Sequence, residues 1–335
     1  MPLDRRFVVA LTVFVLLMSL LSPPGYCQEI ETEALSAVLL DGGTGEILFA
    51  KDQNTPRAPA SMTKIMTLLL AFDAIAAGRA SLEDQVSITE GVNTLGEDPG
   101  TWVWLEPGEI WSLRELLIAI AVASANDACI AVAEHIAGSE TIFVELMNQR
   151  AQSLGMENTS FQNSHGLSAE GHYMSAYDTA LLSREAVKYP KLLELTSTYE
   201  YPGFRPDPRR LDLWNTNKLL VWYEGVDGLK TGWTEEADYC LASTARRNGL
   251  RLISVVMGCK VANGHFSESI KLLQHGFANY SCQRVVTRGQ ILERMPVLRG
   301  KEVAVELIAV DDLNVTLPKG ETDFTVKIVP AQELL

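Results

Sequence analysis

Pro59-Ala60-Ser61-Met62-Thr63-Lys64, running directly into the apolar stretch Ile65 to Ala77, is the segment on which the reading of this chain turns. The apolar residues are dense enough for a buried helix, and the proline, serine and threonine ahead of them suit its first turn. Ser61 and Lys64 then lie one turn apart on the same helical face. With 21 serines and 11 lysines in 335 residues, about 0.7 such Ser-x-x-Lys pairs arise by chance, so the pair alone carries little weight.

Upstream of this helix, Ala37 to Asp41 and Glu46 to Ala50 flank Gly42-Gly43-Thr44-Gly45 and read as a hairpin. Downstream, Leu113 to Ala123 and Ala128 to Ala137 read as two helices joined near Ser124. Ser175-Ala176-Tyr177-Asp178 fits a capping box opening a helix through Val187, which makes Asp178 a structural residue. Strands return at Val226 to Trp233, Tyr239 to Ala245 and Leu250 to Gly258, the last two turning at Asn248-Gly249, and a helix is predicted from Phe266 to Tyr280. From about Gln283 the texture changes to short alternating segments, Val303 to Val310, Asn314 to Leu317 and Phe324 to Val329, as in a small separate β-domain. The fold class expected is α/β, with one mostly antiparallel sheet assembled from both ends of residues 30 to 280 and flanked by helices.

Composition narrows the function classes. Arg5 and Arg6 precede an apolar run from Phe7 to Leu21, with Pro23, Pro24 and Gly25 behind it. This predicts a signal peptide over residues 1–27, cleaved after Cys27, an uncleaved anchor being the alternative. Removing Asp4, Arg5 and Arg6 with it leaves 26 of 28 basic and 41 of 42 acidic side chains, a balance of −15 in place of −14. Such an acidic surface argues against nucleic acid as a partner. There is no C-x-x-C pair and no histidine spacing suited to zinc, so neither a metal nor a cofactor is expected. Across the predicted hairpin Cys240 should face Met257, with Cys259 one diagonal step of roughly 7 Å away, too far for an unstrained disulfide. Free, buried thiols are expected.

Two further motifs give the Ser-x-x-Lys pair its meaning. Ser124-Ala125-Asn126 lies between two helices and Lys230-Thr231-Gly232 closes a strand, completing S-x-x-K, S-x-N and K-T-G in that order; the ordered trio is specific where each member is common. A serine hydroxyl is a poor nucleophile until a neighbour takes its proton, and Lys64 can do so only when neutral. The positive end of the helix dipole, and Lys230 if the fold brings it close, would lower its pKa. Ser124 can relay the proton to a departing amine and Asn126 can bond a substrate amide or carbonyl. The N–H groups of Ser61 and of Trp233 or a neighbour would form the oxyanion hole.

At these residues the chain resembles the low-molecular-weight penicillin-binding proteins, the serine-type D-alanyl-D-alanine carboxypeptidases of peptidase family S11. Trp104-Leu105-Glu106-Pro107-Gly108-Glu109, Phe161-Gln162-Asn163-Ser164-His165-Gly166-Leu167 and Val226-Asp227-Gly228-Leu229-Lys230-Thr231-Gly232-Trp233-Thr234 also look like family segments. The resemblance implies a β-lactamase/transpeptidase-like catalytic domain over residues 28–282 and a partial C-terminal β-rich domain over 283–335. It implies an acyl-enzyme on Ser61, with Lys64 and Ser124 catalytic and Asn126, Lys230, Thr231, Gly232, Trp233 and Thr234 binding substrate. The implied partners are peptidoglycan stem peptides ending in D-Ala-D-Ala and β-lactam antibiotics, met outside the cytoplasm. Two departures stand out. His265, in Gly264-His265-Phe266, occupies the loop where the family commonly has an arginine for the substrate's terminal carboxylate. The family's C-terminal amphipathic membrane helix is missing, since the chain stops at Leu335, which leaves membrane association open.

The remaining candidates read as structural. His165 lacks a third group for a Ser-His arrangement, Asp127 suits a helix start, and Trp102, Trp104 and Trp111 around the Pro107-Gly108 turn are expected to pack as core. His265, with an ordinary pKa of about 6.5, is expected to make carboxylate recognition weaken as pH rises, with Lys260 or Arg246 as the alternative cation. A β-lactamase would need a deacylating glutamate on a separate loop, which no segment resembles. A non-catalytic penicillin sensor is the third class.

Overall fold

A computed structural model describes residues 30–95, 100–205, 208–296 and 304–321. The predicted signal peptide and the segment Phe324 to Val329 lie outside the described residues. In chain order the elements are β1 (Ser36–Asp41), β2 (Ile47–Lys51), a 3-10 turn (Ala60–Thr63), α1 (Lys64–Ala76), β3 (Gln85–Ser87), β4 (Ile110–Ser112) and α2 (Leu113–Ile118). A wider π turn (Ala119–Ala123) extends α2, followed by α3 (Asn126–Ala137), α4 (Glu140–Ser153), α5 (Ala176–Ala186) and α6 (Pro190–Thr196). Then come β5 (Glu200–Arg205), β6 (Leu211–Trp214), α7 (Leu219–Trp222), β7 (Val226–Thr234), β8 (Asp238–Arg247), β9 (Leu250–Cys259) and α8 (Gly264–Asn279). Four strands follow: β10 (Tyr280–Val286), β11 (Ile291–Pro296), β12 (Ala304–Ile308) and β13 (Leu313–Pro318).

The main sheet has the order β2-β1-β9-β8-β7, every pair antiparallel. It is built from both ends of the catalytic segment as the sequence predicts. Alternation along the strands divides its faces. Val38, Leu40, Ile253 and Val255 join the main core with Ile65, Leu68 and Leu69 of α1, while Leu39 and Leu252 face Gly276 of α8. A Cβ on Gly276 would come within 2.4 Å of the Leu252 side chain, so the absence of one is what seats α8 on the sheet. Asn248 and Gly249, both at positive φ, close the β8–β9 hairpin, as the primed turns of two-residue loops require.

Register is regular from Arg247↔Leu250 to Leu241↔Val256 and then shifts, so that Tyr239, and not the Asp238 that an unbroken register would give, faces Cys259. Cys129, Cys240, Cys259 and Cys282 are free. The predicted capping box at Ser175 is only half made. Ser175 Oγ accepts from Asp178 N at 3.1 Å, but the Asp178 carboxylate turns away to Asn158 N and Thr159 Oγ1 at 2.7 and 2.8 Å, pinning a loop in place of its own helix. A full box stands instead at Ser112 and Glu115, opening α2. Beyond α8, β10 pairs with β13 and β11 with β12. Among the described residues no helix is long and apolar enough to cross a membrane.

Candidate active site

Ser61 sits in the 3-10 turn that precedes α1, and the turn is held by glycines that the backbone leaves no room to replace. A Cβ on Gly232 would lie 2.9 Å from Pro59 O and 3.1 Å from Ala60 Cβ. One on Gly166 would lie 2.0 Å from Ala60 O. The turn is therefore clasped between β7 and the 163–167 loop, and Ala60 takes up the tightness with φ of 47°, a left-handed conformation costing an L-residue about 1–2 kcal/mol.

Lys64 is the first residue of α1 and is fully buried. Its Nζ lies 2.8 Å from Ser61 Oγ and donates to His165 O at 2.5 Å. Burial, the largest cause, lowers its pKa to about 8, against the opposing pull of Cys129 and Asp127. Lys230, on β7, is buried as well, and burial together with the charge of Lys64 lowers it to about 7. Dehydration is thus the main agent, ahead of the neighbouring charge that the sequence suggested. The charge of Lys64 opposes that of Lys230, which favours loss of a proton there. A neutral Lys64 keeps an N–H for His165 O and turns its lone pair to the Ser61 hydroxyl.

Ser124 enters the site through an irregularity. The π turn ends in Ser124 at φ 65°, ψ 31°, a left-handed residue between α2 and α3. Ala125 N reaches back to Ala119 O at 3.1 Å, and Asn126 N bonds Thr101 O at 2.8 Å. Asp127 is buried and accepts from Val103 N, Leu105 N and Ala128 N at 3.0 to 3.2 Å. It ties the 101–105 segment to the head of α3, a structural part as its position implied. Burial raises its pKa.

A cleft of about 840 Å³ opens over these groups, lined by Ser61, Ser124 and Asn126 on one side and by Thr231, Gly232, Trp233 and Thr234 of β7 on the other. Lys64 and Lys230 lie beneath it. β7 is an edge strand of the sheet, so the backbone groups on its free side are available to an extended peptide. Thr231 Oγ1 is 2.6 Å from Thr216 Oγ1, Thr234 Oγ1 accepts from Ala237 N at 3.0 Å, and Trp233 is more than half exposed.

His265 also lines the cleft, but not as a loop cation. It lies in the first turn of α8, buried, stacked on Tyr239 with ring centroids 5.4 Å apart and tilted on Phe266 at 4.0 Å. Burial, with the charge of Lys218 added, lowers its pKa to about 4. Burial therefore opposes the protonated form on which the expected weakening of carboxylate recognition with rising pH depends.

His165 is close to the chemistry through its backbone. Its carbonyl holds Lys64, its Nδ1 accepts from Leu167 N at 3.2 Å, and burial lowers its pKa to about 3. Sequence reasoning weighed its imidazole and missed its carbonyl, although the Asn163-Ser164-His165-Gly166 turn carries the signal. Asn163 Oδ1 receives Gly166 N at 2.6 Å, and Ser164 is held through N and Oγ by Glu140 at 2.9 and 2.6 Å. The tryptophan reading needs correcting too. Trp111 stacks on Phe204 at 4.8 Å, but Trp104 is 64% exposed, because the Arg205 guanidinium takes up the carbonyls of Val103 and Trp104 and turns that ring outward.

A family model described as D-alanyl-D-alanine carboxypeptidase matches residues 23–261. The D-alanyl-D-alanine carboxypeptidase DacF of Bacillus subtilis is 41% identical over 89% of this chain and 76% of its own length. DacD of Escherichia coli is 34% identical over 95% and 83%. Among solved structures, penicillin binding protein 5 from Haemophilus influenzae matches with a TM-score of 0.78 at 34% identity, covering 88% of this chain and 85% of that one. Penicillin-binding protein D2 from Listeria monocytogenes in its ampicillin-bound form matches with a TM-score of 0.65 at 30% identity, covering 74% and 99%. With its serine, its paired buried lysines and a match over most of its length, this chain belongs to the D-alanyl-D-alanine carboxypeptidase family, peptidase S11.

Proposed function

We propose that this enzyme removes the terminal D-alanine from peptidoglycan stem peptides outside the cytoplasm, through an acyl-enzyme on Ser61 that β-lactams also form. The observation that carries the reading is the 2.8 Å contact between Ser61 Oγ and the Nζ of a lysine removed from water. Neutral Lys64 takes the hydroxyl proton as Oγ attacks the carbonyl carbon of the penultimate D-alanine. The oxyanion meets N–H groups at Ser61 and at the end of β7. As the C–N bond breaks, Ser124 relays the proton held by Lys64 to the leaving amine, so terminal D-alanine departs and Lys64 is neutral again. Water then attacks the ester as Lys64 accepts its proton, and Lys64 returns that proton to Ser61 Oγ as the ester bond breaks and the shortened peptide leaves. The basic and apolar N-terminal run supports export, which puts the enzyme where its polymer is.

The test has two arms. Fluorescent penicillin should label the wild-type protein covalently and fail to label Ser61→Ala, and the wild type should release D-alanine from diacetyl-L-Lys-D-Ala-D-Ala. Label retained in Ser61→Ala would remove the nucleophile. Rapid nitrocefin turnover without D-alanine release would make the protein a β-lactamase, and stable label with neither would make it a sensor.

A further inference from the structure

The substrate proposed above brings a carboxylate into the cleft, and burial disfavours the charged form of His265, the group expected to neutralise it. His265 is neutral, and its Nδ1 has no hydrogen-bond partner among the described residues. Lys260 is engaged by Asp238 at 2.6 Å. Arg246 stands near the opposite end of β8 from Tyr239, which lines the cleft; at about 3.3 Å per residue that is roughly 20 Å away. Among the described residues lining the cleft, the one lysine or arginine is Lys218.

Its placement is built rather than incidental. In the segment Asn215-Thr216-Asn217-Lys218-Leu219 the odd positions are buried and the even ones exposed. Asn215 Nδ2 donates to Thr196 O and Thr198 O at 3.1 and 2.9 Å. Asn217, fully buried, donates to Gly228 O of β7 at 3.1 Å and accepts from Leu219 N at 3.1 Å. These anchors fix the segment against β7 and send Thr216 and Lys218 into the cleft. Thr216 meets Thr231 of the K-T-G there. Lys218 Nζ lies over the Trp222 ring, 5.5 Å from its centre, and Trp222 packs edge-on against Phe266, His265's neighbour. The ammonium therefore shares a wall with the unpaired imidazole, beside the threonine pair. Glu235, also in the lining, is a carboxylate and would repel the same ligand.

We propose that Lys218 supplies the positive charge that receives the substrate's C-terminal carboxylate, with the Thr216 and Thr231 hydroxyls as its hydrogen-bonding partners. This rests on the acyl-enzyme reading above. The Thr216–Thr231 contact orients both hydroxyls, and the lysine contributes the charge they lack. The partners of Asn215 and Asn217 give this contact its position, so Lys218 acts as a specificity residue for free-acid substrates.

The test compares N-benzoyl-D-alanyl thioglycolate with its methyl ester, substrates alike at the scissile bond and different in charge at the far end. The readout is the ratio of kcat/KM for acid over ester, whatever the absolute rates. Lys218→Met should lower the ratio about 10-fold, the loss of one charge-assisted contact at a solvated site, and Lys218→Arg should restore it to within about threefold. A Lys218→Met ratio within twofold of wild type would overturn the proposal. Mass spectrometry for a penicilloyl adduct on Ser61, run on each protein, separates the two levels. Absence of the adduct in the wild type would overturn the acyl-enzyme reading, and this proposal with it, whereas an adduct with an unchanged ratio would overturn this proposal alone.

Discussion

A lysine ammonium sealed from water at the head of α1 opposes folding, and the sign of that cost follows from where the proton sits. Unfolded, Lys64 titrates near the ordinary lysine value of about 10.4; folded, it titrates at about 8. Below pH 8 both states are protonated and the full burial cost is present. Between the two values the folded protein sheds the proton first, so stability rises with pH, and above the unfolded value the cost is gone. A gap of this size corresponds to roughly 3 kcal/mol, offset in part by the His165 O hydrogen bond, worth about 1 kcal/mol. Lys64→Met, of similar length and apolar, should therefore raise Tm by a few degrees at pH 7 while abolishing acylation, and the gain should fade towards pH 10. A variant less stable than wild type at both pH values would show that the hydrogen bond outweighs burial. The Ser61-Lys64 spacing was legible in the sequence. The dryness of Lys64 was not, because it depends on burial beneath distant segments such as the 163–167 loop, whose His165 carbonyl only the fold brings to it. The burial of His265 was not legible for a related reason: it was placed in a loop, and the helix starting at Gly264 buries it.

The elements that could be read were those with a strong local period or turn. They include the apolar helix after Lys64, the hairpin at Asn248-Gly249, and the helix predicted from Phe266, which begins two residues earlier, at Gly264. One long helix was missed, the 14-residue α4, whose apolar residues Ile142, Phe143, Val144, Leu146 and Met147 are spread around it with no single face; the others missed are short or irregular. α6 and α7 are too brief to show a period, the pairs β3–β4 and β5–β6 lie far apart in sequence or carry a register shift, and the π turn before Ser124 has no sequence signature. That π turn matters most, since its left-handed exit carries Ser124 into the cleft. Contact between β7 and the nucleophile's turn is the other element-level device, and Gly232 governs it. A methyl group there meets backbone at 2.9 Å from Pro59 O, which neither strand nor turn can relieve without separating. Gly232→Ala should slow penicillin acylation at least about 100-fold, as expected for a reacting group displaced by about 1 Å. Its Tm should fall only modestly, because the sheet's pairing is untouched. Wild-type acylation kinetics in Gly232→Ala would mean that the strand and turn are not held in this register.

At the scale of the molecule, the sequence suggested one sheet assembled from both ends of residues 30 to 280, and β1, β2 and β7 to β9 form it. The strand order β2-β1-β9-β8-β7 could not be read, since hydrophobic pattern says which face is buried and not which neighbour a strand takes. One consequence is that the catalytic apparatus closes on itself before the last strands begin. The cleft's lining residues all fall between Ser61 and Phe266. The described strands beyond α8 pair among themselves, β10 with β13 and β11 with β12. They also touch α8, where Lys319 N meets Asn279 O and Lys319 Nζ meets Phe277 O, both at 2.7 Å. These contacts brace the end of α8 remote from His265, and α8 is held on the main sheet by its own packing at Gly276. A chain ending at Asn279 should therefore fold, lose a few degrees of Tm through exposure of Phe277 and loss of the Lys319 contacts, and acylate with penicillin at a second-order rate within twofold of the full chain. The comparison needs near-ultraviolet circular dichroism beside the kinetics. A shortened protein with native tertiary signal but acylation slowed tenfold would show that β10 to β13 set the position of α8, and through Phe266 and His265 the shape of the cleft wall.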